Sequence, residues 1–351
     1  MNAVHLVVPA DIRDPRRPSG GNVYDRCLSR ALRDRGWVVH EWAVSGAWPR
    51  PDAAARAALG QRMRRIPDGA VVLLDGLVAS SVPDLLAPHA DRLRQVVLVH
   101  LPLGHAGAAE VRRAERDALA GARAVLTTSR WTRDWLVATY ALASGRVHVA
   151  PPGIDGAARA LGTPTGGALL CVAAVIRPKG QDVLLSALVS LDDLPWTCTF
   201  VGSLERDPAY VAELVCRARW AGLDDRVRLV GPGSRSEVDL HYARSDLLVL
   251  PSRGETYGMV AAEAVSRGLP VVASRVGGVA EAVGRAAGGA RPGRLVRVDD
   301  PAALAAALRS WLTDPDLRRR WRGAAMSRAG RLPGWPATAA TVADVLTEVA
   351  A

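Results

Sequence analysis

Short apolar, β-prone runs recur along the chain, and between them apolar positions return at the three-to-four-residue spacing of a helix face. In the first half the runs fall at 3–8, 37–43, 70–75, 95–100, 123–127 and 147–150. In the second half they fall at 168–173, 197–202, 227–230, 246–250, 270–273 and 294–298. Helical patterns fill the gaps. Asn22–Arg35 places Val23, Leu28, Ala31 and Leu32 on one face, and 181–191, 208–221, 236–243, 259–267 and 301–313 follow the same rule. Strands alternating with helices predict parallel sheets built from βα units.

The stretch 157–167 is dense in Gly and Pro and divides the chain into halves of similar rhythm. The expected organisation is an N-terminal domain over 1–156, a linker over 157–167 and a second domain over 168–331. A closing segment, 332–351, carries a helix over Thr338–Val349 behind Trp335. A chain of 351 residues has room for two α/β domains, each with its own core. Asn2–Val8 reads as a first strand rather than a leader, and no apolar run approaches the roughly 20 residues of a membrane span. A cytoplasmic protein is the expectation.

Composition changes this picture in two places. The chain holds 45 basic residues, net charge +10, yet a single lysine, Lys179. Arginine stands wherever either cation would serve, so the one retained ammonium marks a position where a compact, flexible point charge is needed. The arginines are spread evenly and lack interleaved aromatics, which argues against nucleic acid as a partner. Arg56, Arg62, Arg64 and Arg65 share one helical stretch, read as a solvated face or as a peripheral contact with an anionic membrane; the Arg318–Arg322 run is read as solvated. The four cysteines, Cys27, Cys171, Cys198 and Cys216, form no metal or disulfide spacing and read as buried free thiols.

The densest chemistry lies in Pro251-Ser-Arg-Gly-Glu255-Thr-Tyr-Gly258-Met-Val-Ala-Ala-Glu263, which follows a buried strand. A glycine turn feeding a helix start offers free N–H groups and a positive dipole end to an anion. Glu255 stands at the turn and Glu263 about 12 Å further along by the helical rise. One carboxylate at each end of a phosphate cradle suits a sugar-nucleotide, with hydroxyls at both ends of a diphosphate. Val175-Ile-Arg177-Pro-Lys179-Gly180 follows another strand and brings two cations to a loop that faces a diphosphate. Gly20-Gly21-Asn22 opens a helix after the first strand. His100 ends an apolar strand, where ligand crevices form in α/β sheets.

The segment from Pro251 through Gly268-Leu-Pro-Val-Val272 to Gly277-Gly278 resembles the signature of glycosyltransferase family 4. Ser129-Arg130-Trp131 and Pro151-Pro152-Gly153-Ile154-Asp155 extend the resemblance, although Pro152 replaces the asparagine usual in the family and the Arg177–Lys179 spacing departs from its pattern. The resemblance implies a GT-B fold: α/β, two doubly wound Rossmann-like domains facing across a cleft, with the last helix crossing back to the first domain behind Trp335. It implies a bacterial-type, retaining hexosyltransferase that moves sugar from a UDP- or GDP-linked donor to a small polar or lipid-linked acceptor, with no cofactor and no metal.

The implied catalytic residues are His100, Glu255, Arg177 and Lys179. Donor contacts fall to Gly20, Gly21, Gly202, Gly231, Pro232, Thr256, Tyr257, Gly258, Met259 and Glu263, with Arg235 near the base; Asn22, Tyr24 and His105 are acceptor-side candidates. The charged loop Asp11–Ser19 is expected over the acceptor side. Two other readings stay open: an epimerase or hydrolase using the same donor pocket, and a non-catalytic sugar-nucleotide-binding protein.

Overall fold

The computed structural model describes residues 2–14 and 19–351, so Pro15 to Pro18 of the expected acceptor-side loop lie outside the described residues. The chain forms two compact units, Met1–Gly153 with Pro333–Ala351, and Ile154–Leu332. Each contains a six-stranded sheet whose neighbours all pair in parallel.

In the first unit the strands are β1 (Ala3–Pro9), β2 (Val38–Val44), β3 (Val71–Asp75), β4 (Arg94–Val99), β5 (Ala124–Thr127) and β6 (Val147–Val149), ordered β2-β1-β3-β4-β5-β6. In the second they are β7 (Ala168–Val172), β8 (Thr197–Val201), β9 (Val227–Val230), β10 (Leu247–Leu250), β11 (Val271–Ser274) and β12 (Gly293–Val296), ordered β12-β11-β10-β7-β8-β9. Sequence order therefore reverses between β1 and β3 in one sheet and between β7 and β10 in the other. In such sheets ligands settle beyond the carboxyl ends of the strands that flank the reversal.

The apolar runs are continuous because both sheet faces are covered. Alternate residues of one strand join different cores, as a two-residue period requires. Leu169, Cys171, Leu247 and Val249 pack with Trp311 and the helices Gln181–Val189 and Pro301–Thr313 on one face. Leu170, Leu248 and Leu250 pack with the helix Met259–Ser266 on the other.

The helix Trp335–Ala350 belongs to the first unit, where it packs on the helix Gly20–Asp34 and on β3, β4 and β5. Trp335 meets the Tyr24 ring edge-on at 5.3 Å, and the Tyr24 hydroxyl donates to Ala150 O at 2.9 Å. A Cβ on Gly153 would sit 2.3 Å from Trp335 N, so only glycine lets the two segments close. Tyr24→Phe removes one buried hydrogen bond and strands the Ala150 carbonyl. The expected cost is about 1–2 kcal/mol, read as a lower urea midpoint with unchanged m.

Several side chains depart from the sequence expectation. Arg318 and Arg322, read as solvated, turn inward: Arg318 donates to Trp311 O and Leu312 O, and Arg322 pairs with buried Asp246. Of the basic stretch near residue 60, Arg56 pairs with Asp84 and Arg62 lies over Trp42. Cys171 and Cys198 are buried free thiols, but Cys216 is exposed and Cys27 partly so. Among the described residues no helix is long and apolar enough to cross a membrane.

Candidate functional site

In the second unit, the loops after β7 and β10 meet at the strand-order reversal. Lys179 Nζ donates to Glu255 Oε1 at 2.7 Å, and Ser252 Oγ donates to the same oxygen at 2.8 Å. Side-chain exposures of 27% for Lys179 and 13% for Glu255 leave the pair reachable yet shielded enough for its charges to be felt. Gly180 makes this approach: its φ is +68° and a Cβ there would sit 2.2 Å from Pro251 O.

Arg253 locks the two loops together. It grips Asp182 bidentately at 2.8 and 2.9 Å, donates to Arg177 O at 2.6 Å and pairs with Asp299 at 2.6 Å. Burial raises the Asp182 carboxyl, but the hydrogen bonds from Arg253 and Tyr210 together outweigh it and hold the group down at about 2. No local pattern marks Arg253, since its carboxylate partners lie 46 and 71 residues away.

Arg177 is not brought to Lys179. Its guanidinium pairs with Glu213 at 2.8 Å and lies over the Tyr210 ring at 5.1 Å. Glu263 is held from two sides, by Arg235 on Oε1 and by the Tyr242 hydroxyl on Oε2, each at 3.1 Å. Gly258 caps the helix Met259–Ser266, with Met259 at its first position and Thr256 half-buried in the turn before it. Tyr257 points its ring into the core, so the backbone is what it offers a ligand. Gly202 and Gly231 follow the adjacent strands β8 and β9, and Pro232 is exposed beside them.

In the first unit, His100 follows β4 and meets two acids. Its Nε2 lies 2.7 Å from Asp25 Oδ1 and 3.6 Å from Asp75 Oδ2, with Asp25 and Asp75 only 1% and 4% exposed. Gly21 packs on the ring, where a Cβ would come within 3.2 Å of Cδ2. Asn22 is tied to the preceding loop through Asp11 O, and Gly20 begins its helix under a Ser19 cap. Tyr24 is buried with its hydroxyl engaged, and exposed His105 packs edge-on against Trp131 and Trp135.

Asp25, Asp75 and His100 are also the one group of metal-ligating side chains found together among the described residues, within 4.8 Å of one another. Two ligands of one tetrahedral zinc stand roughly 3.3 Å apart. A 2.7 Å Nε2–Oδ1 separation is instead a direct hydrogen bond.

Two family models match in tandem: "Glycosyltransferase Family 4" over residues 18–157 and "Glycosyl transferases group 1" over 157–328. The chain belongs to glycosyltransferase family 4. This family 4 chain is 36% identical over 249 residues to D-inositol 3-phosphate glycosyltransferase of Kineococcus radiotolerans, covering 64% of its own length. It spans little more than half, 56%, of that relative. Among solved structures, it shares the GT-B fold of sucrose-phosphate synthase from Thermosynechococcus elongatus (TM-score 0.80, 21% identity, 99% of each chain covered). It also shares that of HepE from Anabaena, solved with UDP and glucose (TM-score 0.77, 19% identity, 98% and 99% covered).

Proposed function

We propose that this family 4 chain is a retaining, metal-independent hexosyltransferase that uses a nucleoside diphosphate sugar and a small polar or lipid-linked acceptor. The observation that carries this reading is the pairing of its single lysine, Lys179, with Glu255 at the strand-order reversal of the second unit. An ammonium has three N–H donors, so with one on Glu255 two remain for diphosphate oxygens. Lys179 stabilises the charge that develops on the leaving group. Among the described residues no hydrogen bond reaches Glu255 Oε2, which suits it to a sugar hydroxyl. Glu263 takes the ribose once Arg235 and Tyr242 share it. In the first unit, His100 and the Gly20–Gly21 turn serve the sugar and acceptor end, by family resemblance.

The relatives named for D-inositol 3-phosphate make polyols and their phosphates the first acceptors to try, and HepE makes UDP the first nucleotide. A thermal-shift panel of UDP, GDP, ADP and TDP with their sugar conjugates, in EDTA and in Mg²⁺, tests the donor reading. A ligand at 100 times its Kd stabilises by about 2.7 kcal/mol, which is several degrees in Tm. One nucleotide family should do this in EDTA, and Glu263→Ala should weaken it. No shift at millimolar concentration, or a shift only with Mg²⁺, would overturn the corresponding part.

A further inference from the structure

The helix Gly20–Asp34 buries Tyr24, Asp25, Leu28, Ser29, Ala31 and Leu32. An aspartate in such a stripe is costly, because an ion removed from water loses several kcal/mol of solvation unless a partner returns it. At 1% exposure Asp25 has such a partner in His100, at 2.7 Å. Its second oxygen, Oδ2, is buried and no hydrogen-bond donor reaches it. The neighbouring acid Asp75 can supply one by keeping its proton, since burial and then the Asp25 charge push its carboxyl up to about 7. The three groups then form a chain, Asp75 carboxylic acid to Asp25 carboxylate to His100 imidazolium, whose charges cancel inside the protein.

We propose that Asp25 is a positioning residue for the transfer reaction: it accepts from His100 Nε2 and so presents the Nδ1–H of a charged ring to an oxygen of the sugar or acceptor. The inference rests on the transferase reading for what His100 touches, but the pairing stands on geometry alone. A carboxylate only accepts, so Nε2 carries a proton. Among the described residues Nδ1 has no hydrogen bond, and the side chain is 11% exposed, enough for contact through one edge. Tyr24 packs on the ring edge-on at 5.0 Å, and Gly21 lies so near that an added Cβ would stand 3.2 Å from Cδ2. The titratable groups facing His100 are therefore Asp25, Asp75 and the Tyr24 phenol, while Gly21 brings no charge. Burial lowers the imidazole, but the Asp25 carboxylate, through its charge and its hydrogen bond, outweighs that, and the ring holds its proton above its ordinary 6.5.

The test is a pH titration of the His100 ring nitrogens by long-range ¹H–¹⁵N NMR in the full chain, for wild type, Asp25→Asn and Asp25→Glu. Wild-type His100 should titrate above 6.5. Asp25→Asn should bring it below, and Asp25→Glu should restore part of the rise. With the transfer assay in hand, Asp25→Asn should lower kcat about tenfold or more at unchanged donor KM, as losing a residue that orients an active group does. An unchanged His100 titration in Asp25→Asn overturns the pairing, whatever the activity. A lowered titration with unchanged kcat overturns the positioning role. Zinc-dependent shifts of the His100 resonances at stoichiometric metal overturn both in favour of a metal seat. If the wild type turns over no sugar-nucleotide, the transferase reading fails, while the titration still decides the pairing. A Tm within a few degrees of wild type shows that each variant is folded.

Discussion

Lys179→Ala should lower kcat by about 10²–10³-fold while changing donor affinity far less. Removing a preorganised group aimed at a developing negative charge has that size, and the charge on the diphosphate grows as the glycosidic bond breaks. A contact that strengthens only in the transition state acts on kcat rather than on binding. Lys179→Arg should not rescue. The guanidinium is a wide planar fork, whereas the group that shares Glu255 Oε1 with Ser252 Oγ is a compact ammonium. Glu255→Gln supplies the complementary arm: it removes the negative charge that faces Lys179 and should raise the donor KM more than Lys179→Ala does. Steady-state kinetics on the donor identified by the thermal-shift panel decides the matter. A raised donor KM at unchanged kcat for Lys179→Ala would show that the ammonium binds the ground state and does not act on the chemical step.

Asp246→Ala should destabilise the second unit by about 3–5 kcal/mol, the range for breaking a buried charged pair by removing one partner. Asp246 is fully buried at the entry to β10 and accepts four hydrogen bonds. These come from Thr163 N at 2.7 Å, Thr163 Oγ1 at 2.5 Å, Ala168 N at 2.9 Å and Arg322 Nη2 at 2.5 Å. One carboxylate thereby joins the segment before β7, the start of β7 and the helix Pro315–Ala329. Alanine leaves two backbone N–H groups, a hydroxyl and a guanidinium without it. Asp246→Asn keeps one acceptor oxygen and should lose less. Urea unfolding followed by tryptophan fluorescence reads the change, since Trp311 and Trp321 stack at 5.8 Å within the same unit. A loss under about 1 kcal/mol would mean that water replaces these bonds at no net cost.

The contrast between these residues shows what the sequence could disclose. The central strands lie where continuous apolar runs place them, because strands buried on both faces must be apolar throughout, while edge strands such as β2 and β9 carry polar residues outward. Helix ends were readable where glycine or proline punctuates them, as at Gly258, Gly268 and Pro301. The helix Pro315–Ala329 carries no clear apolar stripe, because arginines crowd its first turns. It buries only Ala324 and Ala325, and its arginines reach inward by their length rather than by hydropathy. The two glutamates and the lysine stand out in the sequence because the glutamates flank a glycine turn and lie along the helix after it, and because Lys179 is the chain's single lysine. Asp25 and Asp246 escaped notice because their roles depend on partners 75 and 83 residues away, and no local period reports such a pair.

The segment Pro333–Ala351 has a temporal consequence. The second unit is built from consecutive residues, so it can complete its core as soon as Leu332 has left the ribosome. The first unit cannot. Its sheet is made early, but one face of β3, β4 and β5 waits for the helix Trp335–Ala350, synthesised some two hundred residues later. Nascent domains fold as units once their residues are available, and an uncovered apolar face invites aggregation in the meantime. The half of the molecule translated first is thus the half that matures last.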